Sequence, residues 1–464
     1  MVQMASVNSE FVKYVSHPQS HNFECYIFSK EQLMVLNKLK PVTLHVDATG
    51  TVIRPTTLKK KQEKRLLYYA AVIKANDHMM PVAEFISTDQ STTAISSWLY
   101  ALKRFATEHG FDVSDLIANV TSDFSTAIIK SLAQAFNGCK DVIDYLDQCY
   151  DYLYENKQMK SKIILNLCCC HLVKNISDDV FKYYGAVGKI NKNKDLARII
   201  VGFVTPAFDL KMANDLDKWF KALCTVILSP YQNGDVQKSV DYLLKLNSSD
   251  MSVLNSKEYK DFENMLSLNC DGTQVDDLKT NPSSKGKYKA SKCYGRFAKM
   301  SRDIKASFTS DSKGVPNEFH NEEYFSDLIR SVVPVIPMWT YLMLYSKIKV
   351  CHRPNNSGAE LWFHYLKGNS LQAKSMKCSR FIRLTRDRIE SVTKEVLCDI
   401  PNTRCAIPKK QNVDCNIVRK NKQARSQEFF YEPIFVGPFM FLYPLPLLSL
   451  SHNIYKKIYY ILTV

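Results

Sequence analysis

Hydrophobic and polar positions first fall into a clear pattern at Thr43 to Gly50. There, TLHVDATG is a short β-branched and apolar run that closes on Asp47 and a turn. Such a run predicts a buried strand. Thr51 to Pro55 suggests a second short strand, and Leu67 to Ala75 (LYYAAVIKA) a third, which Pro81 to Ser87 prolongs or pairs with. From Ser91 the period lengthens to near 3.6. Ile95, Trp98, Leu99, Leu102 and Phe105 share one stripe, and Gly110 follows as a stop. Leu116 to Thr121 predicts a strand delivering Asp123. Thr126–Phe136 and Val142–Tyr154 predict helices, and Lys162 to Leu167 a strand leading into CCCHLVKNI. The first 40 residues show no clean period.

Three strands, a helix, a strand, helices and a strand make a mixed α/β order with crossover helices. Sites in such sheets gather at the carboxyl ends of strands, where Asp47 and Asp123 are both placed. Between 185 and 345 the segments LARIIVGFV, DKWFKALCTVIL, VDYLLKL and EYFSDLIRSVVPVI predict a mostly helical region, with Trp219 in its core. Glu360 opens a helix, LWFHYLK, and Ser379 to Val396 forms another. The latter carries Arg380, Arg383, Arg386 and Arg388, either as a solvated face or as a phosphate-facing stripe. The expected divisions are an unassigned segment at 1–40, a core at 41–184, a helical insertion at 185–345 and final core helices at 346–400. A basic linker and apolar tail at 401–464 are expected to lie outside the fold. Pro433, Pro438, Pro444 and Pro446 would break a membrane helix in that tail.

Apolar residues at 45% and charged residues at 23% describe a globular chain. A net charge of +16 suits a polyanionic partner, most simply DNA. Lys279, Lys285, Lys287, Lys289, Lys292, Arg296 and Lys299 fall in a stretch of little apolar content, Asp271 to Arg302. Phosphate contacts and a merely solvated loop are equally weighted readings of it. The run Lys59, Lys60, Lys61, Lys64 and Arg65 reads as a hairpin turn rather than a localisation signal. The start, MVQMASVNSEFVKY, lacks the apolar core of a signal peptide, so an intracellular chain with reduced thiols is expected. With no paired CxxC motifs, a structural zinc finger is not expected. Cys168, Cys170 and His171 read as support beneath Asp123 or as part of a zinc site completed by Cys139 or Cys149.

Three stretches in order, TLHVDATG, then VTSDFSTAIIKSLAQAF with CCCHLVKNI, then NNSGAELWFHYLK, resemble the catalytic core of Mutator-like element (MULE) transposases. The resemblance covers roughly residues 40–370. It implies an RNase H-like mixed sheet with flanking helices, interrupted by a mostly helical insertion before the last catalytic helix. It also implies a DDE carboxylate trio of Asp47, Asp123 and Glu360. Cys168 and His171 match the family's CxxH element, with Asn175 trailing it. Asn356 and Ser357 depart from the paired Asn that precedes the family's Glu, which leaves Glu322 and Glu323 as substitute third acids. The family's amino-terminal zinc-binding DNA domain is not visible.

The implied activity is DNA strand cleavage and transfer with Mg²⁺ or Mn²⁺, Asp47 bridging the ions. By analogy a nuclear homodimer on DNA is expected, without membrane or small-molecule cofactor. In-line cutting of a phosphodiester needs an activated attacking oxygen and a stabilised leaving oxygen, and two Mg²⁺ about 3.5–4 Å apart can serve both. Mg²⁺ prefers oxygen ligands, hence carboxylates rather than His or Cys. The alternative is an inactive domesticated or fragmentary transposase that acts as a DNA-binding or interaction protein. A nuclease acting on RNA or single strands shares the same trio chemistry.

Overall fold

The computed structural model describes residues 10–16, 20–50, 52–57, 63–185, 194–248, 286–308, 314–349, 356–367 and 375–399. The tail at 433–450, Lys279, Lys285 and the centre of the Lys59–Arg65 run lie outside the described residues.

Its frame is a seven-stranded sheet. The strands are β1 (Val12–Val15), β2 (Glu24–Ile27), β3 (Val42–Thr49), β6 (Leu67–Ala75), β7 (His78–Ser87), β8 (Ile117–Ser122) and β9 (Ile164–Leu167). A separate two-stranded ribbon, β4 (Thr56–Thr57) with β5 (Glu63–Lys64), lies between β3 and β6 in the chain. Spatial order is β1-β2-β7-β6-β3-β8-β9. β3, β6, β7, β2 and β1 pair antiparallel in turn, while β3–β8 and β8–β9 pair parallel. The fold is therefore mixed α/β, and it is consistent with an RNase H-like sheet.

Alternation along β6 shows how both faces are covered. Tyr69, Ala71 and Ile73 join one apolar cluster, which holds Trp98, Leu99 and Leu132. Tyr68, Ala70 and Val72 join another, with Trp362, Phe363 and Phe381. Successive side chains of a strand point to opposite faces, so a strand apolar at nearly every position must be covered on both. The first face takes α1 (Lys30–Leu39), α2 (Thr92–Glu108), α3 (Thr126–Asn137) and α4 (Val142–Tyr154). Phe85 and Trp98 stack there with centroids 5.6 Å apart.

α5 (Cys169–Val180) leaves the end of β9. Beyond it come α6 (Lys194–Val204), α7 (Ala213–Leu228), α8 (Gly234–Ser248), α9 (Lys292–Ser307) and α10 (Glu322–Ser331). Trp219 is core, 1% exposed, with its indole N–H donating to the Phe203 carbonyl at 2.8 Å. The helical run Glu322–Ile348 is apolar and long enough to cross a membrane, but 78% of its most apolar window is buried against the rest of the chain. The second face of the sheet takes α11 (Ser357–Tyr365) and α12 (Cys378–Leu397).

Three expectations are corrected. The first 40 residues, unassigned from sequence, supply α1, the edge strand β1 and its neighbour β2; the two strands are only four residues long each and so too short to show a period. Thr51–Pro55 contributes an isolated bridge from Ile53 to Met376 rather than a strand. The Lys-rich stretch becomes helical from Lys292, because Cys293, Phe297 and Ser301 recur at helical spacing and are buried.

Glu84 of β7 is fully buried and accepts from the Tyr68 hydroxyl at 2.5 Å, while Tyr68 accepts from the Trp362 indole at 2.9 Å. Burial pushes the Glu84 carboxyl up to about 8, although the Tyr68 bond opposes the shift. A raised carboxyl pKa stabilises the fold fully below the unfolded value, and that stability is lost as pH rises through about 8. Glu84→Gln is therefore expected to be more stable than the parent at pH 9, by roughly 2 kcal/mol. Its advantage should vanish near pH 4.5. Urea unfolding across this range checks it, and an equal gap at both ends would contradict the burial argument.

Candidate active site

The parallel pairing of β3 with β8 builds the site. Val46 is opposite Ser122, so Asp47 and Asp123, the next residue on each chain segment, emerge at neighbouring points of one sheet end. β3 continues to Thr49, two residues beyond the expected end at Asp47. Asp47 stands across from Ala70, on the face covered by α11. Its carboxylate accepts from the Ala48 N–H at 2.7 Å, and that of Asp123 accepts from the Ser125 N–H at 3.2 Å.

α11 brings Glu360 over this end. Gly358 lies so close to β3 that an added Cβ would sit 2.6 Å from the His45 ring. Asn356, fully buried, donates its side-chain amide to the Val46 carbonyl at 3.4 Å and its backbone N–H to the Cys168 sulfur at 3.3 Å. Cys168 in turn donates its own N–H to the Ser122 carbonyl at 2.8 Å. One cysteine thus links the end of β8, which carries Asp123, to the start of α11, which carries Glu360. His171, one turn into α5, sits with Nδ1 3.9 Å from the Glu360 carboxylate. Asn175 lies a further turn along the same helix face.

The electrostatics fit three acids meeting. The Asp47 carboxyl lies well above the usual range, chiefly through burial and then through the charge of Asp123; the Ala48 N–H opposes this, Glu360 adds to it and Lys367 opposes it. Asp123 is raised by burial against the opposing influence of His171 and the Ser125 N–H. His171 is pushed up to about 9. Burial works against its charge, but the Cys168 sulfur, Glu360 and Asp123 more than offset it. Buried carboxylates at such a distance from full neutralisation call for added positive charge. Oxygen donors of this kind suit Mg²⁺ or Mn²⁺, which Asp47, Asp123 and Glu360 would hold.

The substitutes for the third acid lie elsewhere. Glu322 is the first residue of α10, after the cap Asn321, and pairs with Lys305; Glu322 and Glu323 line an open cleft with Lys182 and His320. Cys139 bonds Ser161 and Gln148, and Cys149 is buried beside Tyr145; neither groups with Cys168 and His171. Lys287 and Lys289 are exposed, whereas Lys292 pairs with Asp151. Arg296 pairs with Asp217 and stacks over Tyr154, its guanidinium 4.3 Å from the ring centroid. Lys367 was missed as a neighbour of Asp47, which raises its pKa against the larger effect of burial. Its seven-residue spacing from Glu360, two helical turns, was the available signal.

No family model matches the chain. The chain is 27% identical over 164 residues to the 120.7 kDa protein in NOF-FB transposable element of Drosophila melanogaster. That match takes in 35% of this chain and 14% of the fly protein. The similarity supports a transposon origin. It spans only a small part of the relative's length, so activity does not pass across with it.

Helix propensity favours Gly358→Ala by about 1 kcal/mol, while the contact with His45 opposes it by about 1–3 kcal/mol. The contact is expected to win. The substitution should lower the melting temperature, and a rise would show that α11 does not press on β3 as described.

Proposed function

We propose that this chain is the core of a DDE transposase of Mutator-like type, cutting and joining DNA strands with Mg²⁺ or Mn²⁺. The observation that carries the reading is the convergence of Asp47, Asp123 and Glu360, from β3, the end of β8 and α11, at one end of an RNase H-like sheet. Bound divalent ions would supply an activated attacking oxygen and a stabilised leaving oxygen. Asp47, the most buried of the three, would hold them together with Asp123 and Glu360. Cys168 and Asn356 keep the mounts of Asp123 and Glu360 in register. Lys367 offers a positive charge beside Asp47 toward a phosphate. The chain would act in the nucleus, as a homodimer that holds two DNA ends.

Labelled duplex DNA incubated with the full chain in Mg²⁺ or Mn²⁺ tests this. Cleavage is expected, and it should fall to the level of the buffer control in Asp47→Asn, Asp123→Ala and Glu360→Gln. Salt-sensitive binding without cutting would assign the chain to the other class, a DNA-binding remnant of a transposase. Cutting by Asp47→Asn at the parent rate would exclude the mechanism.

DNA contact through the exposed lysines has its own test. Replacing Lys287 and Lys289 together with Ala should weaken binding to unrelated sequences equally and reduce the salt slope by about 2. Arg296→Ala should instead lower thermal stability, since it removes the partner of Asp217.

A further inference from the structure

Cys168 Sγ, a His171 ring nitrogen and a Glu360 oxygen lie within 4.8 Å of one another. We propose that these three side chains form a Zn²⁺ site of their own beside the acid cluster, with Glu360 common to both. Zinc bonds sulfur at about 2.3 Å and nitrogen or oxygen at about 2.0–2.2 Å, so one ion reaches all three after movements of under about 1 Å. Neither Cys139 nor Cys149 belongs to this group, so the third ligand is a carboxylate. Thiolate, imidazole and carboxylate together suit zinc and not Mg²⁺, which takes oxygen ligands.

Three independent details point to an ion. His171 Nδ1 is buried and has no hydrogen-bond partner, although the ring as a whole is 42% exposed. A buried ring nitrogen without a partner is costly, and coordination satisfies it. Cys168 is 1% exposed, and its sulfur already accepts the Asn356 N–H, a bond that holds a thiolate in place once its proton has left to solvent. Finally, the ligands come from both sides of the long insertion: Cys168 and His171 from the β9–α5 turn, Glu360 from α11. An ion here ties these elements directly, and His171 and Glu360, each 42% exposed, leave a way in. Three protein ligands also leave a fourth position open to water or to a phosphate oxygen.

The purified full chain, dialysed against zinc sulfate and then against buffer, is expected to retain about one zinc per chain by elemental analysis. Cobalt in its place should give a thiolate-to-cobalt charge-transfer band. Cys168→Ser and His171→Gln should lose both metal and band. His171→Gln replaces a half-exposed side chain, and circular dichroism would show that it folds. Asp47→Asn and Asp123→Ala, which are expected to abolish cleavage, should keep the zinc. That separates this inference from the proposed function: zinc without cutting sinks the latter alone, and cutting without zinc sinks this one alone. Retention of zinc by both Cys168→Ser and His171→Gln, or no zinc in the parent, would overturn the site.

Discussion

The pairing of β3 with β8 in parallel is the constraint from which the candidate site follows. It sets two acids at adjacent positions on one sheet end, where each raises the other's cost of ionisation. Nothing apolar could use that arrangement. Burial and mutual repulsion both favour neutral carboxyls, so full ionisation requires a cation, whether Lys367, the His171 imidazolium or a bound metal ion. Buried acids held against one another in an otherwise well-packed core are the observation on which the proposed site rests.

The third acid depends on how firmly α11 is seated. Its helix is pinned at three points: Gly358 against His45, Asn356 against Cys168 and Val46, and Trp362 against Tyr68 and so to Glu84. The last of these reaches across two strands of the sheet. A side chain on a helix held by packing and hydrogen bonds is placed more precisely than a loop could place it. The same fixity explains how a helix far along the chain holds position beside strands from its first part. Cys168 serves both halves of the site, through its backbone toward Asp123 and its sulfur toward α11.

The positive charge is distributed less simply than the net value of +16 suggests. Lys292 and Arg296, inside the Lys-rich stretch from Asp271 to Arg302, pair α9 with acids on α4 and α7. Arg386 pairs with Glu390 one turn away, and Arg388 lies over Tyr365. Neighbours such as Lys287 and Lys289 are exposed.

Sequence periodicity by itself determined the elements long enough to display it. β6 and α4 occupy the ranges expected from sequence, Leu67–Ala75 and Val142–Tyr154, and Asp123 follows its strand as expected. Burial on one face or on both is a local property of the chain, so it is written locally. β1 and β2 escaped because four residues hold too few repeats, and α9 because its buried stripe is narrow among lysines. Only the tertiary structure decided that Glu360, and not Glu322 or Glu323, stands with the two aspartates, and that Cys168 and His171 meet it rather than Cys139 or Cys149. Those meetings join residues 189 to 313 positions apart, through close packing of a helix on a sheet. Such packing depends on the shapes of both surfaces at once, and no local pattern along one chain segment records it.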